Sequence, residues 1–357
     1  MRPSKDASDL EGSLKSPLRT LKKPKKMAAQ APQDAMEAHD QDNSQDEGLG
    51  WGMEDGSTAS LRSSILHYRA EHGRTYHSYK EGKYSYPNDE SENDRLDLQH
   101  HVFQLTYDGK LGLCPLNEKV CKVGRVLDIG CGTGIWAVDY GDEHPEATVV
   151  GVDLSPIQPQ FVPPNVEFTV DDVEEPWTFS KKFDYIHSRM MTTSFSDWKS
   201  FLQKCYENLE PGGCLELADI DASYESDDGT LTESHAVKRW RRLLAEAAKE
   251  RGRPFNEPKT YKAALEDLGF VDVQEVLHKW PLNPWPRDKK LKELGAWTFQ
   301  NVSDGIEAFS LALLSRVLGW SREEIEVLLA DVRRELRDRS IHAYIPVYTV
   351  YGRKPTQ

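Results

Sequence analysis

The chain has 357 residues, enough for one large domain or two small ones with a full hydrophobic core. Its formal net charge of −14 disfavours general affinity for nucleic acid or an anionic membrane, and no run approaches the roughly 18 apolar residues of a membrane span. Cys114, Cys121, Cys131, Cys205 and Cys214 include no C-x-x-C pair, and no apolar segment follows the basic N-terminus, so reduced thiols in an intracellular protein are expected.

Residues 1–60 are polar and lack sustained periodicity, which predicts a disordered tail. The run KKPKK at 22–26 resembles a short nuclear-import signal, yet such pentamers are also common in solvated tails, so nucleus and cytoplasm both stay open. Residues 61–120 are expected to form a helical cover. They begin with a stretch dense in tyrosine, Tyr76, Tyr79, Tyr84 and Tyr86, which either covers a ligand or fills a helix–sheet seam. After Pro87, acids lead into a helix whose apolar face holds Leu96, Gln99, Phe103 and Thr106, widened by Leu98, Val102 and Leu105.

A strand–helix alternation follows. Val126, Leu127 and Ile129 read as a buried strand, Gly130, Gly132 and Gly134 as a tight loop, and Ile135 onward as a helix. Further strands are expected at 148–153, 166–170, 183–189 and 214–220, the last preceded by a helix that Pro211-Gly212-Gly213 stops. This order implies an α/β fold with parallel pairing and right-handed crossovers. An amphipathic helix spans 236–252, a sixth strand 270–276 and a last strand 343–354. Between these two, 277–341 reads as helical, with a capping box at Ser321 and Glu324, and is expected to contribute a substrate lid.

The chemistry concentrates at the loop. Dinucleotide sites use G-x-G-x-x-G, but here the spacing is G-x-G-x-G and Ile135 stands where the third glycine belongs. Asp128, inside the strand, would repel a pyrophosphate but hold an amino group. Asp153, with Leu154 beside it, stands where a ribose diol is bound, and Asp172 with Val173 suits an adenine. Amino acid, ribose and adenine without phosphate describe S-adenosylmethionine and disfavour a nicotinamide dehydrogenase. A base for the acceptor would come from the ends of strands four and five: His187, Arg189, Glu216 or Asp219. Of these His187 and Arg189 are the nearer candidates, each with a structural reading beside it. No metal site is expected, because His100 and His101 are adjacent and diverge on a helix.

The loop VLDIGCGTG and the EPGG turn resemble class I S-adenosylmethionine-dependent methyltransferases. That resemblance implies a Rossmann-like, seven-stranded, mostly parallel sheet of order 3-2-1-4-5-7-6 with an antiparallel last pair, in a domain spanning 61–357. Longer segments, among them YRAEHGRTYHSYKEGKY, PNDESENDRLDLQHH, DEHPEATVVGVDLSPIQPQFVPPN and PVYTVYGRKP, are similar to the fungal LaeA-like methyltransferases from about Tyr68 to the end. The resemblance implies methyl transfer to an O or N atom of a small molecule or protein in secondary metabolism. It also implies an alternative, a nuclear regulator that keeps the cofactor fold and works through velvet-domain partners.

Overall fold

The computed structural model describes residues 68–356 apart from 72, 78, 81, 82, 84, 256 and 257. The polar segment 1–60, its basic run at 22–26 and Tyr84 lie outside these residues.

Seven strands form one sheet: β3 (Arg125–Ile129), β4 (Thr148–Asp153), β5 (Val166–Val170), β6 (Phe183–Arg189), β7 (Leu209–Ile220), β8 (Val271–Pro281) and β9 (Tyr344–Arg353). Their order is β5-β4-β3-β6-β7-β9-β8, which is 3-2-1-4-5-7-6 counted from the glycine-loop strand. The first five are parallel, and β9 runs antiparallel to both β7 and β8. A separate hairpin of β1 (Arg69–Glu71) and β2 (Arg74–Tyr76), turning at Gly73 with φ +78, opens the cover that was expected to be helical.

Alternation along the strands sorts side chains between two layers. On one face Val126, Val149 and Tyr185 pack under Trp136, Ala137 and Tyr140 of α2 (Ile135–Glu143). On the other, Leu127, Ile129, Ile186 and Leu217 pack against α3 (Trp198–Asn208) and α5 (Tyr261–Asp267). Each fully buried aliphatic side chain contributes about 2 kcal/mol through its burial.

A third cluster is helical. It joins α1 (Glu90–Thr106), α4 (Ala236–Glu250), α6 (Lys289–Arg316) and α7 (Arg322–Arg337) to the β8–β9 edge through Phe103, Trp240, Leu314, Leu329, Trp280 and Val347. Asp89 caps α1 by accepting from the Glu92 N–H at 3.1 Å, and Ser321 with Glu324 forms the capping box of α7. The helical insertion thus lies where the spacing put it.

Two boundaries differ from the sequence reading. β7 starts at Leu209 and runs through the EPGG turn, because Gly212 N donates to Lys354 O at 2.9 Å and Lys354 N donates to Gly213 O at 2.8 Å. β8 continues to Pro281, since its polar outward residues still pair with β9 up to Tyr344. In both cases a neighbouring strand, invisible in a local window, extends the ladder.

Candidate active site

The glycine loop is fastened to β4. Gly130 N and Cys131 N both donate to Val152 O, at 2.8 and 3.1 Å. Gly130 has φ +67, and a β-carbon there would overlap Met191. Asp153 completes the clamp, one carboxylate oxygen accepting from Gly132 N and the other from Ser155 N, both at 2.9 Å. Gln158 Nε2 donates to Gly132 O at 2.7 Å. The loop's shape is fixed by these bonds to its own chain.

Above it lies a cleft of about 1030 Å³, counting its open mouth. Asp128, Gly130, Gly132, Asp153, Leu154, Asp172, Val173, His187 and Arg189 all line it. Gly134 is not among its lining residues. It takes φ +80 as the cap of α2, and a side chain there would collide with the Phe168 ring. Its requirement is packing.

Asp128 is 3% exposed, and its Oδ1 accepts from His187 Nδ1 at 2.8 Å. Its Oδ2 is buried with no hydrogen-bond partner. A buried carboxylate oxygen left bare costs on the order of 1–3 kcal/mol, more because it is charged. His187 is itself clamped, its ring stacked on Trp136 at 3.7 Å between centroids and 6° between planes. Trp136 is fixed in turn by donating from Nε1 to Leu111 O at 2.9 Å.

Opposite charge lines the same cleft. Arg189 donates from Nη2 to His100 Nδ1 at 3.0 Å and lies 4.7 Å over the Phe103 ring. His100 Nε2 in turn meets Asp139 at 2.9 Å. Burial lowers the basicity of both Arg189 and His100. Burial also raises the Asp153 carboxyl above its usual range, against the pull of its two backbone donors. Asp172 is paired with Lys83 and accepts from Glu174 N at 3.0 Å.

Two expected bases are engaged away from the cleft. Glu216 is wholly buried beneath the loop before β3 and accepts from Leu113 N, Cys114 N, Asn117 and Tyr185. Asp219 is held by Thr192 and by Tyr261 Oη at 2.8 Å. Neither lines the cleft. Tyr76 and Tyr79 also stand outside its wall; Tyr76 is buried under Arg316 of α6, 4.8 Å from its ring, and so fills a seam.

Sequence reasoning missed Lys83, Gln99, Trp136, Met191 and Phe195, which also line the cleft. Trp136 alone had a local signal, as the first aromatic residue of the helix after the loop. Among the described residues no group of histidines, cysteines and carboxylates could hold a metal. No helix among them is long and apolar enough to cross a membrane.

A glycine loop on the first strand of a 3-2-1-4-5-7-6 sheet, with acids at the carboxyl ends of the next two strands, defines a class I methyltransferase. The methyltransferase domain family matches residues 98–275, and its cofactor is S-adenosylmethionine. Over 303 residues the chain is 41% identical to methyltransferase pytC of Aspergillus terreus, covering 84% of this chain and 92% of that one. Over 291 residues it is 39% identical to the secondary metabolism regulator LAE1 of Cochliobolus heterostrophus, covering 80% and 95%. The chain belongs to the fungal LaeA-like methyltransferase family. A Haemonchus contortus phosphoethanolamine N-methyltransferase in complex with S-adenosyl-L-methionine superposes with a TM-score of 0.41 at 17% identity, covering 84% and 73% of the two chains.

Proposed function

We propose that the chain transfers a methyl group from S-adenosylmethionine to an oxygen or nitrogen acceptor in fungal secondary metabolism. The observation that carries this reading is the bare Oδ2 of Asp128, buried yet lining the cleft. An ammonium group is the partner that would satisfy it, and Arg189 offers a cation for the carboxylate of the same amino acid. Asp153 with Leu154 would take the ribose, each carboxylate oxygen keeping a lone pair beyond its backbone bond. Asp172 and Val173 would face the adenine beside Lys83.

When bound, the cofactor would supply an electrophilic methyl group to the acceptor atom. The chain's own contribution is positioning, which can supply most of the rate. His187 acts through Asp128: it fixes one carboxylate oxygen and leaves the other free to take a ligand donor. It is a positioning residue in this reading, because its Nδ1 holds Asp128 Oδ1 and its ring face is stacked on Trp136.

Calorimetric titration with S-adenosylhomocysteine and with NAD tests the reading. The homocysteine product should bind, NAD should not, and Asp153→Ala should weaken binding by about tenfold or more. Binding of NAD alone would overturn it.

A second reading is favoured by the similarity to a regulator at nearly the same identity as to an enzyme. Here the chain keeps the cofactor site but works by binding partners, with velvet-domain proteins as the expected class, and KKPKK directs it to the nucleus. In a strain carrying Asp153→Ala, loss of cofactor binding with unchanged metabolites and transcripts would favour this reading. A fluorescent fusion with Lys22, Lys23, Lys25 and Lys26 replaced by alanine should lose nuclear enrichment; unchanged localisation would remove the import signal.

A further inference from the structure

A second cavity of about 660 Å³ adjoins the cofactor cleft. The two share Leu96 and Gln99 of α1 and Met190 at the end of β6, so these three side chains form a common wall. Beyond that wall the lining is strongly aromatic: Tyr86, Tyr224, Phe255, Trp280 and Phe309.

Two arginines line it, and they differ in one respect. Arg95 is neutralised by Glu92, with Nε and Nη2 at 3.0 and 2.7 Å from the carboxylate, while Nη1 donates to Asn301 at 2.8 Å. Arg241 is 7% exposed, and among the described residues no carboxylate lies within ion-pair distance of it. Its Nε donates to Ala222 O at 2.8 Å, and its Nη2 is buried with no partner. The guanidinium lies 4.9 Å from the Tyr224 ring and 4.8 Å from that of Phe255. Ring faces offset part of the desolvation of a cation, but they do not satisfy an N–H. A buried guanidinium with an idle donor is suited to a planar anion that also stacks on aromatic rings.

We propose that this cavity is the methyl-acceptor compartment, and that it takes an aromatic small molecule whose acidic group is anchored by Arg241. The inference rests on the methyltransferase reading above. The nucleophilic O–H or N–H of such a molecule lies at the Leu96–Gln99–Met190 wall and the anion at the far side. The anion is the anchor, not the reacting group. Arg241 is therefore a specificity residue, with no part in holding the cofactor.

The test uses the full chain and matched probes: 4-hydroxybenzoate, 4-hydroxycinnamate and 6-hydroxy-2-naphthoate, each beside its neutral amide. Their binding is followed by tryptophan fluorescence in the presence of S-adenosylhomocysteine. At least one acid should bind about tenfold or more tightly than its amide. Arg241→Gln should erase that preference and Arg241→Lys should restore part of it, with affinity for S-adenosylhomocysteine unchanged in both. The acid–amide comparison on the unaltered protein needs no variant, so a folding defect in Arg241→Gln does not shield the proposal. If none of the three acids outbinds its amide, or if Arg241→Gln keeps the preference, the compartment is not an anion-anchored acceptor site. If S-adenosylhomocysteine itself fails to bind the unaltered protein, the underlying methyltransferase reading fails instead.

Discussion

Two buried carboxylates flank His187 in the sheet, in register on either side: Asp128 on β3 and Glu216 on β7. They are 3% and 0% exposed, and both point to the face covered by α2 and the loop before β3. Their bonding separates them. Glu216 accepts from Leu113 N at 3.0 Å and Cys114 N at 2.6 Å, and also from Asn117 and Tyr185. Asp128 has one partner and one bare oxygen. Burial alone would assign them the same role. The number of donors each accepts makes Glu216 a brace for the loop and leaves Asp128 with a bare oxygen.

Deleting the brace should have the largest effect. Glu216→Ala leaves at least the Leu113 and Cys114 N–H groups buried without acceptors, so a loss of about 3–5 kcal/mol is expected in urea unfolding. Cofactor affinity of the folded fraction should change little. A loss below about 1 kcal/mol would remove the distinction between the two carboxylates.

His187→Phe sharpens the comparison from the residue between them. The ring stack on Trp136 survives, while Asp128 loses its fixed oxygen. Affinity for S-adenosylhomocysteine should fall about three- to tenfold and be partly rescued by His187→Gln, at a stability cost of about 1–2 kcal/mol. Equal loss in Phe and Gln variants would mean that the hydrogen bond is irrelevant.

A third carboxylate extends the rule with a smaller effect. Glu174 lines the cleft but is engaged by Ser196 N at 2.8 Å, Ser196 Oγ at 2.7 Å and Arg253 at 2.5 Å. Burial pushes its carboxyl up, yet these donors outweigh it and bring it down to about 2 from 4.5. A lowered folded value means that stability is gained above 4.5 and lost as pH falls from 4.5 towards about 2. Urea midpoints of the unaltered protein should drop across that window more steeply than those of Glu174→Gln. Parallel curves would place Glu174 outside the scaffold.

Much of the fold was legible because the core strands are continuous apolar runs and the helices carry clear caps, as at Ser321 and Asp89. The glycine loop and the acids at 128, 153 and 172 were legible as cleft residues because they stand at the carboxyl ends of successive apolar strands. What was hidden depends on long-range bonding. Glu216 and Asp128 look alike in a local window, and only the chain around Leu113, a hundred residues earlier, separates them. Likewise Arg241 lies on an amphipathic helix among other arginines, and nothing local marks it as the one beside Tyr224 and Phe255. The extensions of β7 and β8 had the same kind of cause, pairing with distant chain: β6 and Lys354 for β7, β9 for β8.

In the proposed function the bare oxygen of Asp128 anchors the amino group of the cofactor. Asp128→Asn keeps the shape of the side chain and removes the charge. Titrated with S-adenosylhomocysteine in a calorimeter, this variant should bind about ten- to a hundredfold more weakly than the unaltered protein, with urea stability changed by less than about 1 kcal/mol. Affinity within about threefold of the unaltered protein would contradict the account.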